Sequence, residues 1–289
     1  MSRCLAVVLF LAPEAGVAQA PDSTRDDRDP LLFVMEDEDS RVYLFGSIHY
    51  LEASAYPLPD DVEAAYDDAE VVAFEIDLTT PWAVQRAFER RSFYTGGRTL
   101  RDAMGSSYSK LEKTLDAIGM EASLFDEYKP WAVMTSISRL ATPELPYSYR
   151  EGVDLYFSER AETDGKPILA LETAEDQIDA FDLVPEKAQV QWLVRILDHW
   201  HVQGKVAEAL VAAWSAGDET RLEALLWRIP KVNRDALLRV RNERWVPQIE
   251  SYLAREGEDV LVVVGAGHLV GANSVVAMLR DRGYTLTRR

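Results

Sequence analysis

Two histidines occupy the same position in two similar strand-and-turn segments. Residues 41–51, RVYLFGSIHYL, form an apolar run that leads into the turn GSIH and ends that turn at His49. Residues 260–271, VLVVVGAGHLVG, repeat the pattern, with GAGH ending at His268. Glycine lets the backbone turn sharply, so each imidazole should lie just past the carboxyl end of its strand. With only four histidines in the chain, this pairing predicts paired metal ligands or catalytic groups, and two structural turn histidines are the alternative.

Two glutamates follow predicted strands in the same way. The apolar run Val71–Phe74 ends at Glu75, and Pro167–Leu171 ends at Glu172. If all four strands are parallel in one sheet, the two imidazoles and two carboxylates converge on the edge where open α/β sheets bind ligands. Such a set suits a divalent ion (Zn, Mn, Co or Fe), with one glutamate free to act as a general base. If both histidines bind an ion, its affinity should fall below about pH 6, because both rings must lose a proton.

The elements that must position these side chains alternate between strands and helices. Residues 31–35 and 41–45 predict a hairpin, and Tyr284–Thr287 predicts an edge strand. The helical patterns are Asp60–Asp68, Trp82–Arg91, Ser107–Ile118, Pro130–Leu140, Val153–Thr163, Glu186–Trp214, Glu219–Trp227, Arg234–Arg255 (interrupted at Pro247) and Asn273–Arg280. Together they predict an α/β fold with a mixed sheet flanked by helices. A helical insertion over Pro81–Gly165 should separate the sheet strands.

The N-terminus has the features of a secretory signal peptide. Arg3 precedes a short apolar run at Leu5–Ala12, and Ala18-Gln19-Ala20 is a small-residue cleavage signal. We therefore expect residues 1–20 to be a signal peptide, 21–30 a flexible N-terminus and 31–289 a single domain. The protein is then periplasmic or secreted, and no apolar run is long enough for a membrane span.

Charge and cysteine content exclude several kinds of site. The only cysteine, Cys4, lies within the predicted signal peptide, so a mature chain has neither disulfides nor cysteine zinc ligands. The formal net charge of −18 disfavours binding to nucleic acid and to anionic membranes. The expected partner is a peptide or small-molecule substrate, and the oligomeric state is left open.

Seven segments of the chain resemble the TraB/GumN family, which is related to the TIKI metalloproteases and distantly to the erythromycin esterase-like fold. In chain order they are LFGSIH, VVAFEIDL, YKPWAV, GVDLYF, PILALETAEDQ, RVRNERW and VVVGAGHLVG. The resemblance runs from about Leu31 to Tyr284. It implies an erythromycin esterase-like or TIKI-like α/β core carrying a metal-dependent peptidase site.

The resemblance also implies roles for particular residues. His49, His268 and Glu75 would bind a divalent ion such as Mn, Co or Zn, and Glu75, Glu172 and Arg241 would be catalytic. Arg241 would clamp a substrate carboxylate or hold Glu75 in place.

Three functions are compatible with this sequence. The first is a secreted or periplasmic metal-dependent hydrolase, most consistent with a peptidase. The second is a metal-independent, esterase-like hydrolase in which His49 is the general base. The third is a non-catalytic periplasmic protein that binds a peptide or a metal complex.

Overall fold

A computed structural model describes residues 28–141 and 144–289. The predicted signal peptide, 1–20, lies outside the described residues, as does most of the predicted flexible N-terminus, so both remain predictions. The strands are β1 Leu32–Glu36, β2 Arg41–Ser47, β3 Val71–Phe74, β4 Ile168–Ala170, β5 Val260–Gly265 and β6 Thr287–Arg288.

These strands form one mixed sheet in the order β4-β3-β5-β2-β1-β6. The four strands β4, β3, β5 and β2 are parallel to one another, whereas β1 is antiparallel to both β2 and β6. Strand β5 lies in the middle of the sheet, and its apolar side chains are buried, as a continuous run of valines predicts. The predicted mixed α/β fold is confirmed, and the four parallel strands direct their carboxyl ends to one edge.

Helices cover the sheet and fill the long connections between its strands. They are α1 Asp60–Asp68, α2 Pro81–Arg91, α3 Leu100–Met104, α4 Tyr108–Asp116, α5 Pro130–Ile137, α6 Val153–Asp164, α7 Ala174–Asp182, α8 Glu186–Asp198, α9 Gln203–Ser215, α10 Glu219–Leu226, α11 Lys231–Arg234, α12 Val240–Leu253 and α13 Val275–Asp281. Helices α2 to α6 form the predicted insertion between β3 and β4. None of the described helices has the length and apolarity needed to cross a membrane.

The prediction of one long helix over Glu186–Trp214 is wrong. Helix α8 ends at Asp198, a 3₁₀ turn follows at Trp200–Val202, and α9 then begins. His199 leaves the helical region with φ −116° and ψ 23°. Its ring Nδ1 lies 2.9 Å from the carbonyl oxygen of Arg195, which takes over one of the acceptors that a continuing helix would use.

The predicted interruption at Pro247 is also wrong, because α12 runs through this proline without a break. Pro247 is exposed, so the carbonyl that loses its helical donor can bond to water instead. The irregularity lies earlier, where Asp235–Arg239 form a π-helical turn directly before α12. This turn ends two residues before Arg241.

Candidate functional site

Three of the four strand-end residues meet around Gly265, at the carboxyl edge of the parallel strands, and the fourth, Glu172, lies beside Glu75. A methyl group placed on Gly265 would lie 3.9 Å from His49 Nε2, 3.8 Å from His268 Cδ2 and 3.2 Å from Glu75 Oε1. Glu172 follows β4 and is joined to the next strand by a hydrogen bond from its amide to the carbonyl of Glu75. Tertiary structure therefore brings together all four side chains that the sequence placed after strands. Glycine at position 265 keeps the space between them open.

Arg241 lies at the centre of this cluster. Its Nη2 donates to Glu75 Oε2 and to Glu172 Oε1, both at 2.6 Å, while its Nε donates to Glu172 at 2.9 Å. Its Nη1 lies 3.0 Å from the carbonyl oxygen of Leu237 and 3.2 Å from His268 Nε2. One guanidinium thus contacts three of the four strand-end side chains. The sequence-based suggestion that it holds Glu75 matches this geometry.

The π-helical turn before α12 explains how Arg241 reaches the site. Single π turns inside helices shift the following residues around the helix axis and occur often at functional sites. Here the π turn ends at Arg239 and Val240 follows it. The next two residues are Arg241 and Asn242, and both are buried on the side facing the sheet edge. The carbonyl of Leu237, inside the turn, accepts from Arg241 itself. This hydrogen bond joins the π turn to the Arg241 side chain and holds the guanidinium in its position.

Asn242 determines the tautomer of His268. Its Nδ2 donates to the carbonyl of Asn273 at 2.7 Å, so its Oδ1 must face the imidazole. Because an amide oxygen only accepts, the 2.5 Å contact from His268 Nδ1 assigns the ring proton to Nδ1. His268 Nε2 then carries a lone pair, and Arg241 donates to it. His268 is held on both sides within the fold.

Asp154 performs the equivalent task for His49. Its Oδ2 lies 2.8 Å from His49 Nδ1, and its Oδ1 accepts from the Ser47 hydroxyl at 2.7 Å. The carboxylate is the second residue of α6, where the helix dipole favours a negative charge. His49 Nε2 is left directed towards Gly265. Asp154 was not predicted as a site residue, although it belongs to the GVD segment of the resemblance.

Gly152 allows α6 to begin this close to His49. A Cβ at position 152 would lie 2.5 Å from the carbonyl oxygen of His49, which is far inside contact distance. The amide of Val153 also donates to the carbonyl of Ile48 at 3.0 Å. The first turn of α6 is thus joined to the first G-x-x-H turn, which puts Asp154 within reach of the imidazole.

The two glutamates experience opposite electrostatic effects. Burial raises the pKa of Glu75, but Arg241, His268 and His49 outweigh this and hold that pKa well below its usual range. Glu172 is ionised less readily, because burial and the neighbouring charge of Glu75 raise its pKa in spite of Arg241. Glu75 is therefore the carboxylate that carries a permanent charge next to the two imidazoles.

The pKa values of the two histidines are also shifted in opposite directions. Burial lowers the pKa of His49, but Asp154 and Glu75 raise it by more, to about 9. Burial and the charge of Arg241 lower the pKa of His268 to about 3, with Glu75 only partly opposing them. Unperturbed pKa values would make both rings titrate near pH 6.5. With these shifts, His49 is cationic and His268 is neutral at pH 7.

We expect NMR titration of the ring protons to show this separation directly. Between pH 5 and 10, one ring should titrate near pH 9 and vanish from the spectrum of His49→Gln, whereas the His268 ring should not titrate. Because the pKa of His49 is raised in the folded state, the ion pair of His49 with Asp154 stabilises the fold fully below about pH 6.5. This contribution is lost as pH rises through about 9. Asp154→Asn should bring the His49 transition below its ordinary value of about 6.5, because burial then dominates. A His49 transition near 6.5 in the wild type would contradict the assignment.

As they stand, these residues do not fit a divalent ion. Arg241 already donates to Glu75, to Glu172 and to His268 Nε2, while the amide of Gly265 donates to the second oxygen of Glu75 at 2.8 Å. Within residues 28–141 and 144–289, no group of three or more His, Cys, Asp and Glu side chains is arranged to hold a metal ion. Imidazole and carboxylate groups are suitable ligands for a divalent ion, but here Glu75, Glu172 and His268 accept hydrogen bonds from the Arg241 guanidinium.

His49 differs from its neighbours in being open to the outside. About 32% of its side chain is exposed, compared with 4–9% for Glu75, Glu172, Asp154, Arg241 and His268. It lines an open pocket whose other walls are mostly apolar. These walls include Leu210, Trp214, Leu222, Leu226 and the glycine turn 265–267. Among these six side chains, only His49 lines the pocket.

The chain matches the family model described as the TraB/PrgY/gumN family over residues 31–288. Among curated proteins, the Escherichia coli "Uncharacterized protein YbaP" is 25% identical over 82% of this chain and 87% of its own length. The zebrafish (Danio rerio) "Metalloprotease TIKI1" is 23% identical over 91% of this chain. "Metalloprotease TIKI2" of the same fish is 23% identical over 84%. The alignments cover only 64% and 57% of these two proteins. No solved structure matches the chain significantly.

Proposed function

We propose that this chain, which belongs to the TraB/PrgY/gumN family, is a hydrolase in which His49 activates water for attack on a peptide bond. The observation that carries the proposal is the Asp154–His49 pair. Asp154 holds the ring by Nδ1, and Nε2 is left at the open end of the site next to the ionised Glu75. A carboxylate behind an imidazole that faces a pocket is the arrangement of a general base.

The proposed reaction needs His49 in its neutral form. Nε2 takes a proton from water as the water oxygen forms a bond to the carbonyl carbon of the substrate. The C–N bond then breaks, and the leaving nitrogen takes the proton back from the imidazolium. Asp154 and Glu75 stabilise the intermediate imidazolium through their negative charges. Arg241 and Glu172 are positioning residues here, because both side chains are buried and neither lines the pocket beside His49.

We propose a peptide as the substrate and a divalent ion as the cofactor because of the names of the relatives. Two of them are called metalloproteases, which supports a metal-dependent peptidase. The apolar pocket beside His49 favours a substrate with an apolar side chain next to the cleaved bond. If an ion binds, it supplies a Lewis acid that lowers the pKa of bound water. The periplasmic or secreted location remains a proposal based on residues 1–20.

A metal-independent hydrolase is the second candidate, and one observation favours it. Arg241 already provides a fixed positive charge beside Glu75 and His268, the position in which an ion would otherwise act. His49 with Asp154 then suffices as the base. The two candidates differ in their response to chelators.

Cleavage of a defined peptide library, followed by mass spectrometry, tests the proposal. We expect wild-type protein to generate new termini with an apolar residue beside the cleaved bond, and His49→Gln to generate none. Dialysis against a chelator followed by Mn²⁺, Co²⁺ or Zn²⁺ separates the two candidates, since only the metal-dependent enzyme loses and regains activity. Retention of an intact peptide without cleavage under every metal condition would contradict a hydrolase and support a binding protein.

A further inference from the structure

A second pocket adjoins the one beside His49. The two pockets share Leu226 and Gly267 in their linings and otherwise consist of different residues. A Cβ on Gly267 would lie 3.3 Å from a methyl carbon of Leu226, so this leucine packs against the glycine backbone. Leu226 is buried, whereas Gly267 is partly exposed. The pair therefore forms the wall between the pockets, and a peptide backbone can pass over it at the glycine, which has no side chain.

The second pocket, here called the Trp227 pocket, contains a large apolar side chain that is held in place but open to solvent. Trp227 directly follows α10 and is 64% exposed. The guanidinium of Arg234 lies 3.9 Å from its ring centroid, and its Nε1 donates to Glu223 Oε1 at 3.3 Å. A ring that is already fixed loses little freedom when a ligand binds, which is why tryptophan often dominates binding surfaces.

The remaining lining of the Trp227 pocket favours a flat, uncharged ligand group. Its charged residues balance, two arginines against two acidic residues: Arg234, Arg239, Glu223 and Asp235. Net charge in the pocket therefore selects neither an acidic nor a basic side chain. The stacked indole and guanidinium present flat surfaces, and both attract an aromatic ring by stacking.

We propose that the Trp227 pocket is a second substrate subsite, which takes an aromatic side chain of the peptide whose cleaved bond lies at His49. This inference rests on the proposed function and names its substrate class more closely. The peptide would place an apolar side chain beside His49 and an aromatic one on the other side of Leu226. Alternate side chains of an extended peptide face the same way and are ~7 Å apart, so these two residues should be two positions apart.

Peptide binding to His49→Gln protein tests the subsite separately from catalysis, because this variant should leave the peptides intact. The probes are short synthetic peptides, blocked at both ends, with Leu at one position and either Phe or Gly two positions before or after it. We expect titration calorimetry to show about 10-fold tighter binding of Phe than of Gly in one of the two orders, as ring stacking and burial predict.

Two exposed tryptophans provide a matched pair of substitutions. Adding Trp227→Ala should abolish the preference for Phe and leave binding of the Gly peptide unchanged, and Trp227→Phe should keep most of the preference. Trp82→Ala is the control, because Trp82 is 56% exposed, lies 4.8 Å from the guanidinium of Arg86 and lines neither pocket. It should preserve the preference for Phe.

The subsite and the hydrolase can fail independently. The subsite is refuted if Trp227→Ala keeps the preference for Phe, if Trp82→Ala loses it equally, or if none of the peptides binds. Cleavage of the Phe and Gly peptides by wild-type protein with equal KM would also refute it and leave the hydrolase standing. Binding of the Phe peptide through Trp227 without cleavage by wild-type protein would leave the subsite standing and refute the hydrolase.

Discussion

Replacing Arg241 by Met is expected to lower the free energy of unfolding at pH 7 by about 3–5 kcal/mol. The substitution leaves Glu75 and Glu172 buried without their cation, and both carboxylates are less than 10% exposed. Removing one partner of a buried ion pair is far more damaging than removing the whole group, because the remaining charges stay desolvated. Urea unfolding followed by circular dichroism measures the difference.

The pH dependence and a matched surface variant identify the cause. The loss of unfolding free energy in Arg241→Met should become smaller as pH falls towards 4. Without the arginine the two carboxylates have raised pKa values, so they take up protons and lose their charge. Arg239→Met breaks an exposed pair with Glu243 on the same helix and should change stability by less than about 1 kcal/mol. The triple variant that also carries Glu75→Gln and Glu172→Gln should recover most of the loss. Equal losses in Arg241→Met and Arg239→Met would show that the buried cluster does not rely on its arginine.

Removal of the His49 imidazole is expected to have the largest effect on turnover. His49→Gln should lower kcat/KM by ~10²–10⁴-fold, the usual contribution of a general base. His201→Gln is a suitable control, because His201 is exposed in the turn between α8 and α9. The peptide cleaved best by wild-type protein serves as the substrate.

The pH profile distinguishes a base from a structural histidine. Wild-type kcat/KM should rise with pH up to about 9, because His49 must first lose its proton. Asp154→Asn should move this rise to lower pH while reducing the maximum, since the carboxylate both raises the pKa and orients the ring. Wild-type turnover in His49→Gln, or an unshifted profile in Asp154→Asn, would rule out His49 as the base.

The fold was largely predictable because its signals are local. Apolar runs predicted the strands, most clearly the valine-rich β5, and glycines or capping residues marked helix boundaries. Errors arose where a single residue decided the outcome. His199 ends α8 through its ring and backbone, and the exposed Pro247 leaves α12 intact. Periodicity is insensitive to both effects.

Sequence alone determined which side chains follow strands, and parallel pairing of β4, β3, β5 and β2 then placed His49, Glu75, Glu172 and His268 at one edge. Only the tertiary structure decided what each of them does there. Asp154 lies 105 positions from His49, and Arg241 lies 166 positions from Glu75. No local pattern encodes such contacts. Burial and charges from distant segments separate the pKa values of two histidines that stand in equivalent motifs, because a pKa reports the surroundings of a ring and not its place in the sequence.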